Sequence, residues 1–137
     1  MGKSPKDIVK NQMYDNDSFS KWLGIEVLSV EDGDCVIQMQ VRDEMLNGFG
    51  IGHGGITYAF ADSALAFASN SIGLQAVSIE SSISHTSKVV SKDVLTATTQ
   101  RISKSRKFAI YNVSVHNQDD VLVASFKGTV YFTGKEW

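Results

Sequence analysis

The stretch that decides the fold runs Asn47-Gly-Phe-Gly-Ile-Gly-His-Gly-Gly-Ile-Thr-Tyr-Ala-Phe-Ala-Asp62-Ser-Ala-Leu-Ala-Phe-Ala-Ser-Asn-Ser71. Its first part holds the glycines at 48, 50, 52, 54 and 55. Its second part, Ile56 to Ser71, is apolar nearly all round and rich in alanine, with Gly73 placed to end it. A helix without a polar face is a buried helix. A flat sheet would leave half of it wet, so burial on most sides calls for a sheet that curls around it.

The flanking sequence supplies that sheet. Apolar residues tend to alternate from Leu23 to Val30 and from Cys35 to Val41, and Asp32-Gly33 between them is a hairpin signature. After the helix the period is two again. Val77, Ile79 and Ile83 alternate with polar residues, and Val94–Ile102, Phe108–Val115 and Val121–Phe132 read as long strands rich in valine and threonine. Their breaks, Ser103-Lys-Ser-Arg-Lys and Asn117-Gln-Asp-Asp, are polar and tight. Upstream, residues 4–14 form an amphipathic helix with Ser4 as N-cap and Pro5 at its first position, and Ser18–Leu23 form a second helical turn. The expected class is α+β: about six antiparallel strands curved around one long central helix.

Composition bounds what such a molecule can be. At 137 residues and 42% hydrophobic, the chain is one domain that needs no disulfide or metal to hold a core. Cys35 is the only cysteine, which suits a reducing cytoplasm. With 13 basic and 15 acidic side chains the net charge is −2, not the basic balance of a protein that binds nucleic acid through phosphates. No apolar run approaches membrane-spanning length, and the first residues lack the apolar segment of a secretion signal. The expectation is a soluble cytoplasmic protein with neither nucleic-acid nor membrane partners.

From Met45 to Ile79 the only formally charged side chain is Asp62. A carboxylate inside a buried helix is costly unless it has a hydrogen-bond partner or a chemical task, and both readings stay open on burial alone. The glycines before it bear on the choice. Gly54 and Gly55 at a helix start leave N–H groups unobstructed at the electropositive end of the dipole, where they can face a developing oxyanion. Other chemistries fit poorly. Gly50-Ile-Gly-His-Gly-Gly55 matches the dinucleotide GxGxxG pattern, but no acidic residue stands about 20 residues on and the later elements are strands in series. A P-loop lacks its Gly-Lys-Ser/Thr ending. His53 and Asp62 are nine residues apart, about 900° on a helix, and so point to opposite sides. No metal site is expected. Gly54 and Asp62 stand about 12 Å apart along a helix axis, too far to touch one small acyl carbon. If both act in one site they come from different chains, most simply in a two-fold dimer with antiparallel central helices.

Asn47-Gly together with His53-Gly-Gly-Ile-Thr-Tyr-Ala-Phe-Ala-Asp62-Ser-Ala resembles the signature of hotdog-fold acyl-CoA thioesterases, in particular the phenylacetyl-CoA thioesterase (PaaI-like) branch. The similarity runs over about residues 17–133, leaving 1–16 as an N-terminal helical extension. The resemblance implies hydrolysis of an aryl-acetyl or medium-chain acyl-CoA to the free acid and coenzyme A, without metal or cofactor. Asp62 is then the nucleophile or general base and the Gly54 N–H the oxyanion donor from the partner subunit. His53 and Asn47 hold the thioester and the glycine loop, and Ser78 assists near the carboxylate. Coenzyme A lies over the segments matching His85, Thr86, Ser87 and Lys88 and Lys104, Ser105, Arg106 and Lys107, whose cations suit its phosphates. On charge alone, the same lysines read as a solvated turn. The family further implies a homodimer and a homotetramer built as a dimer of dimers. Small residues Ala59, Ser63 and Ala66 near Asp62 are expected to leave room for the acyl group. Gly52 stands where many relatives carry cysteine or a larger residue, which implies a looser glycine loop, and Ser87-Lys88 replaces a frequent proline. Two other readings keep the fold: a non-catalytic acyl-CoA-binding protein, against which Asp62 and His53-Gly-Gly count, and a dehydratase, which calls for a differently placed histidine and acid.

Overall fold

The computed structural model describes residues 2–137; Met1, within the domain expected over 1–137, lies outside the described residues. Its single six-stranded sheet is antiparallel throughout, in the order β1-β2-β4-β5-β6-β3. The strands are β1 (Glu26–Glu31), β2 (Asp34–Gln40), β3 (Leu74–His85), β4 (Val94–Lys104), β5 (Phe108–His116) and β6 (Leu122–Glu136). Helices α1 (Pro5–Asp7) and α2 (Ser18–Leu23) precede them, and α3 (Gly54–Asn70) lies against the concave face. The α+β architecture read from the sequence is the one observed. Among the described residues no helix is long and apolar enough to cross a membrane.

The central helix is buried as its sequence requires. Phe60, Ala61, Ala64, Leu65, Phe67 and Ala68 meet the inward side chains of four strands: Ile37 and Met39, Leu95 and Ala97, Tyr111 and Val113, Phe126 and Val130. Three alanines on that face let the helix sit close to the sheet, while Phe60 and Phe67, fully buried, each contribute about 1.5–3 kcal/mol by leaving water.

Boundaries differ where local chemistry intervenes. The first strand begins at Glu26, not Leu23, because Leu23 closes α2 and Gly24 caps it at φ 75°. β3 starts at Leu74 and β6 runs on to Glu136, since their backbones pair along almost their whole length. The helix expected over 4–14 starts as read, with the Ser4 hydroxyl accepting the Asp7 N–H at 3.1 Å, but widens into a π-helix over Ile8–Met13. The wider turn puts the adjacent Ile8 and Val9 both into the interior.

The strand after the central helix does not join the strand that follows it. β3 crosses to the far edge beside β6, and the loop 86–93 returns the chain to β4. Asp93 anchors that return: its carboxylate accepts the Val90 N–H and the Gln118 side-chain amide, both at 2.9 Å. One edge of β3 is therefore left without a backbone partner.

Candidate active site

The helix α3 and the edge strand β3 run antiparallel, and their contacts form a ladder that carries most of the residues of interest. At one end the buried Asn70 carboxamide accepts the Ala76 N–H (2.8 Å) and the Trp137 indole N–H (3.0 Å), and donates to the carbonyls of Ala66 (2.8 Å) and Ala76 (3.1 Å). Next, Asp62 faces Ala76, Val77 and Ser78 across a cavity. The Tyr58 hydroxyl then bonds that of Ser81. At the far end Gly54 lies against His85, so closely that a Cβ on Gly54 would stand 3.0 Å from His85 Nε2.

The Gly54 end is an anchored turn. Asn47 Oδ1 accepts the Phe49 N–H at 2.9 Å, the Gly52 N–H reaches the Val89 carbonyl at 2.6 Å, and the His53 N–H reaches the Met45 carbonyl at 2.8 Å. A Cβ at Gly52 would stand 2.9 Å from Val89 Cβ. The glycine therefore tightens the loop against its neighbour, correcting the looser loop that the sequence comparison implied. His53 caps α3, its Nδ1 accepting the Gly55 N–H at 2.9 Å. That occupies Gly55. Of the two candidate oxyanion donors only the Gly54 N–H has no acceptor among the described residues. It opens on a cavity of about 440 Å³ whose walls include Asn47, His85, Thr86, Ser87 and Lys88. Two sets of residues named separately in the sequence thus meet in one place.

The Asp62 end holds a smaller cavity. A cavity of about 200 Å³ is lined by Asp62, Leu65, Ala66 and Ser69 from α3, by Ala76–Ser78 and by Val130. No described residue gives the Asp62 carboxylate a hydrogen bond or an ion pair, and burial pushes its pKa above the usual carboxylate range. Ser78 lines this cavity, as the resemblance implied. Of the three small residues expected beside Asp62 only Ala66 is there. Ser63 is turned to α2, where its hydroxyl meets that of Ser20 at 2.8 Å, and Ala59 packs on the core.

The two proposed coenzyme A segments do not converge within one chain. Through the pairs Phe108–Tyr131 and Tyr131–Val77, the exposed hairpin Lys104–Lys107 is level with the Asp62 end, whereas His85–Lys88 continue from the Gly54 end. Val77 and His85 are eight residues apart on β3, about 26 Å at strand rise. Lys104 Nζ rests 5.3 Å from the Phe132 ring centroid, and Thr86 donates its hydroxyl to the Leu122 carbonyl.

A model of the thioesterase superfamily matches residues 49–124, a span that contains four of the five loop glycines, α3 and β3. The chain belongs to the thioesterase superfamily. This thioesterase is 38% identical to the acyl-coenzyme A thioesterase PaaI of Escherichia coli (strain K12), over 89% of this chain and 87% of that protein. The structure of the E. coli PaaI protein from the phenylacetic acid degradation operon superposes with a TM-score of 0.92 at 35% identity, covering 96% of both chains. A Streptococcus mutans UA159 protein bound to acetyl CoA gives 0.80 at 29% identity, covering 82% of this chain and 91% of that one. The fold is accordingly the hotdog fold, and the protein is a thioester hydrolase.

A free backbone donor at a helix start can face a carbonyl oxygen gaining charge, and an unpaired, partly buried carboxylate can act as a base or nucleophile. Sequence reading missed Tyr58, Leu65 and Asn70. Tyr58 was within reach, because four residues before Asp62 it shares that helical face. The Asn70 contacts reach across six residues to Ala76 and to Trp137, which no local period encodes.

Proposed function

We propose that this thioesterase hydrolyses aryl-acetyl or medium-chain acyl-CoA to the free acid and coenzyme A, at sites completed between two copies of the chain. The observation that carries the reading is the separation of the free Gly54 N–H and the unpaired Asp62 into different cavities at opposite ends of the α3–β3 ladder. The β3 edge is free, and Val77 and Ile79 on it are 52% and 55% exposed. Antiparallel pairing of that edge with its two-fold copy sets the Gly54 end of one protomer against the Asp62 end of the other. The same operation carries the Lys104–Lys107 hairpin of one copy toward Thr86–Lys88 of the other, which accounts for two phosphate-binding segments that lie apart in a single chain. Two such dimers make the homotetramer.

In this site the thioester oxygen accepts the Gly54 N–H while the Asp62 carboxylate either attacks the carbonyl carbon, giving a mixed anhydride that water then hydrolyses to the acid and free Asp62, or takes a proton from the attacking water. The thiolate of coenzyme A leaves. Thioesters are electrophilic and thiolates leave readily, so this chemistry needs no metal or cofactor. His53 and Asn47 keep the loop and the Gly54 donor in place, and Ser78 orients the carboxylate or its water. A cavity of about 150 Å³ accommodates benzene, so the 200 Å³ beside Asp62 suits one aryl ring or a medium-length acyl chain. A buried free Cys35 agrees with a reducing cytoplasm.

Thiol release from phenylacetyl-, hexanoyl- and acetyl-CoA, measured for wild type and Asp62→Asn, tests the reading. The substitution is expected to lower turnover by roughly a hundredfold or more. A wild type that releases no thiol, an equally active variant, or a fully active monomer in solution defeats it.

A further inference from the structure

The cavity beside Asp62 owes its width to a residue that does not border it. Gly128 lies in the buried face of β6, an interior strand, paired with Tyr111 on one side and Ser81 on the other. Glycine in the middle of a strand weakens it and marks close approach by another group. Here the group is Leu65. A Cβ built on Gly128 collides with Leu65 Cδ2, and stands 3.3 Å from Leu65 Cδ1 and 3.1 Å from Phe126 Cε1.

Leu65 is also a wall of the Asp62 cavity. Its isobutyl group thus lies down on bare backbone at Gly128 instead of standing in the space beside the carboxylate. The surroundings leave it one way to move. Phe126 is buried and held edge-on by Tyr58, with ring centroids 5.5 Å apart, and Leu65 itself is 1% exposed among close-packed neighbours. The open side is the cavity.

We propose that Gly128 is a specificity-determining residue of this thioesterase: by seating Leu65 against β6 it reserves room for an aryl or medium-length acyl group next to Asp62. The inference rests on the acyl-CoA reading above for the identity of the occupant. A methyl at 128 drives Leu65 into a space of about 200 Å³ that a ring nearly fills, so large acyl groups are excluded first and acetyl last. Gly128 acts through Leu65 and touches no substrate.

The test compares wild type, Gly128→Ala, Leu65→Ala and the double variant in two assays. Steady-state thiol release from phenylacetyl- and acetyl-CoA gives the selectivity. Calorimetric titration with phenylacetate gives ring affinity without turnover. Gly128→Ala is expected to lower the phenylacetyl-to-acetyl ratio of kcat/KM by about tenfold, chiefly through KM, and to weaken phenylacetate comparably, as for a ring-sized group losing its pocket. Adding Leu65→Ala should restore both, which a purely structural defect at 128 would not allow. Should Gly128→Ala fail to fold, Leu65→Ala alone decides: it must shift preference toward bulkier acyl groups. Unchanged selectivity and phenylacetate affinity in the folded variants overturn the proposal, as does a wild type that does not bind phenylacetate. A wild type that binds phenylacetate in a Gly128-sensitive way but hydrolyses no acyl-CoA would support the Gly128 assignment while refuting the catalytic reading.

Discussion

Replacing Asn70 by alanine should do more damage than its place at a helix end suggests. Its carboxamide makes four hydrogen bonds, using every donor and acceptor it has. Two of the partners lose little. The Ala66 carbonyl keeps the ordinary helical bond from the residue 70 N–H, and the half-buried Trp137 indole can turn to water. The Ala76 N–H and C=O lose their side-chain partner where α3 hands over to β3, at about 1–3 kcal/mol for each unsatisfied group. The expected loss is about 2–6 kcal/mol. For a chain of this size each kcal/mol moves Tm by roughly 3–4 °C, so a fall of about 12–16 °C is the central expectation. Urea unfolding followed by tryptophan fluorescence and far-UV circular dichroism measures it. Because Ala66 and Ala76 face each other across the Asp62 cavity, thiol release should fall along with stability. Asn70→Asp is the sharper control: it keeps both accepted bonds but sets a carboxylate against the two carbonyls that Asn70 donates to. A loss below about 1 kcal/mol for the alanine variant, or an aspartate variant as stable as wild type, would refute the idea that the carboxamide clamps helix to strand.

Asp62→Asn is expected to stabilise the protein while lowering turnover by roughly a hundredfold or more. Burial raises the native carboxyl pKa above its unfolded value, so the native state holds its proton more tightly. That contribution favours the native state at low pH and is lost as pH rises through the raised native value. The stability advantage of the variant should therefore grow with pH and then level, in urea melts between about pH 3 and pH 8; a constant or shrinking difference would contradict it. Burial, with Asp34 nearby, pushes the Cys35 thiol up to about 12, so a thiol reagent near neutral pH should label the native protein only through unfolding, at a rate that rises with urea. His53→Ala removes the acceptor of the Gly55 N–H and should cost about 0.5–2 kcal/mol, as other N-cap deletions do. It should also lower kcat by loosening the Gly54 donor, whereas a variant with unchanged stability would show that the cap is unimportant.

What the sequence determined by itself is local and periodic. An apolar helix with one acid, a glycine-rich start and alternating strands each describe burial along a few turns or residues, and that is enough to demand a sheet curled around α3. The Asp62, Gly54 and His53 positions were legible for the same reason: a lone charge and a run of glycines stand out against their neighbours without reference to anything distant. Only the tertiary structure decided that β3 crosses to a free edge, that Gly55 is spent on His53 while Gly54 is not, and that Ser63 faces α2. It also decided that Lys104–Lys107 and His85–Lys88 lie at opposite ends of one sheet. Strand order and register emerge from the summed packing of residues far apart in the chain, and no single segment carries them. Gly128 shows the limit most clearly. In sequence it is a glycine interrupting a strand, and its meaning exists only because Leu65, sixty-three positions earlier, lies down on it.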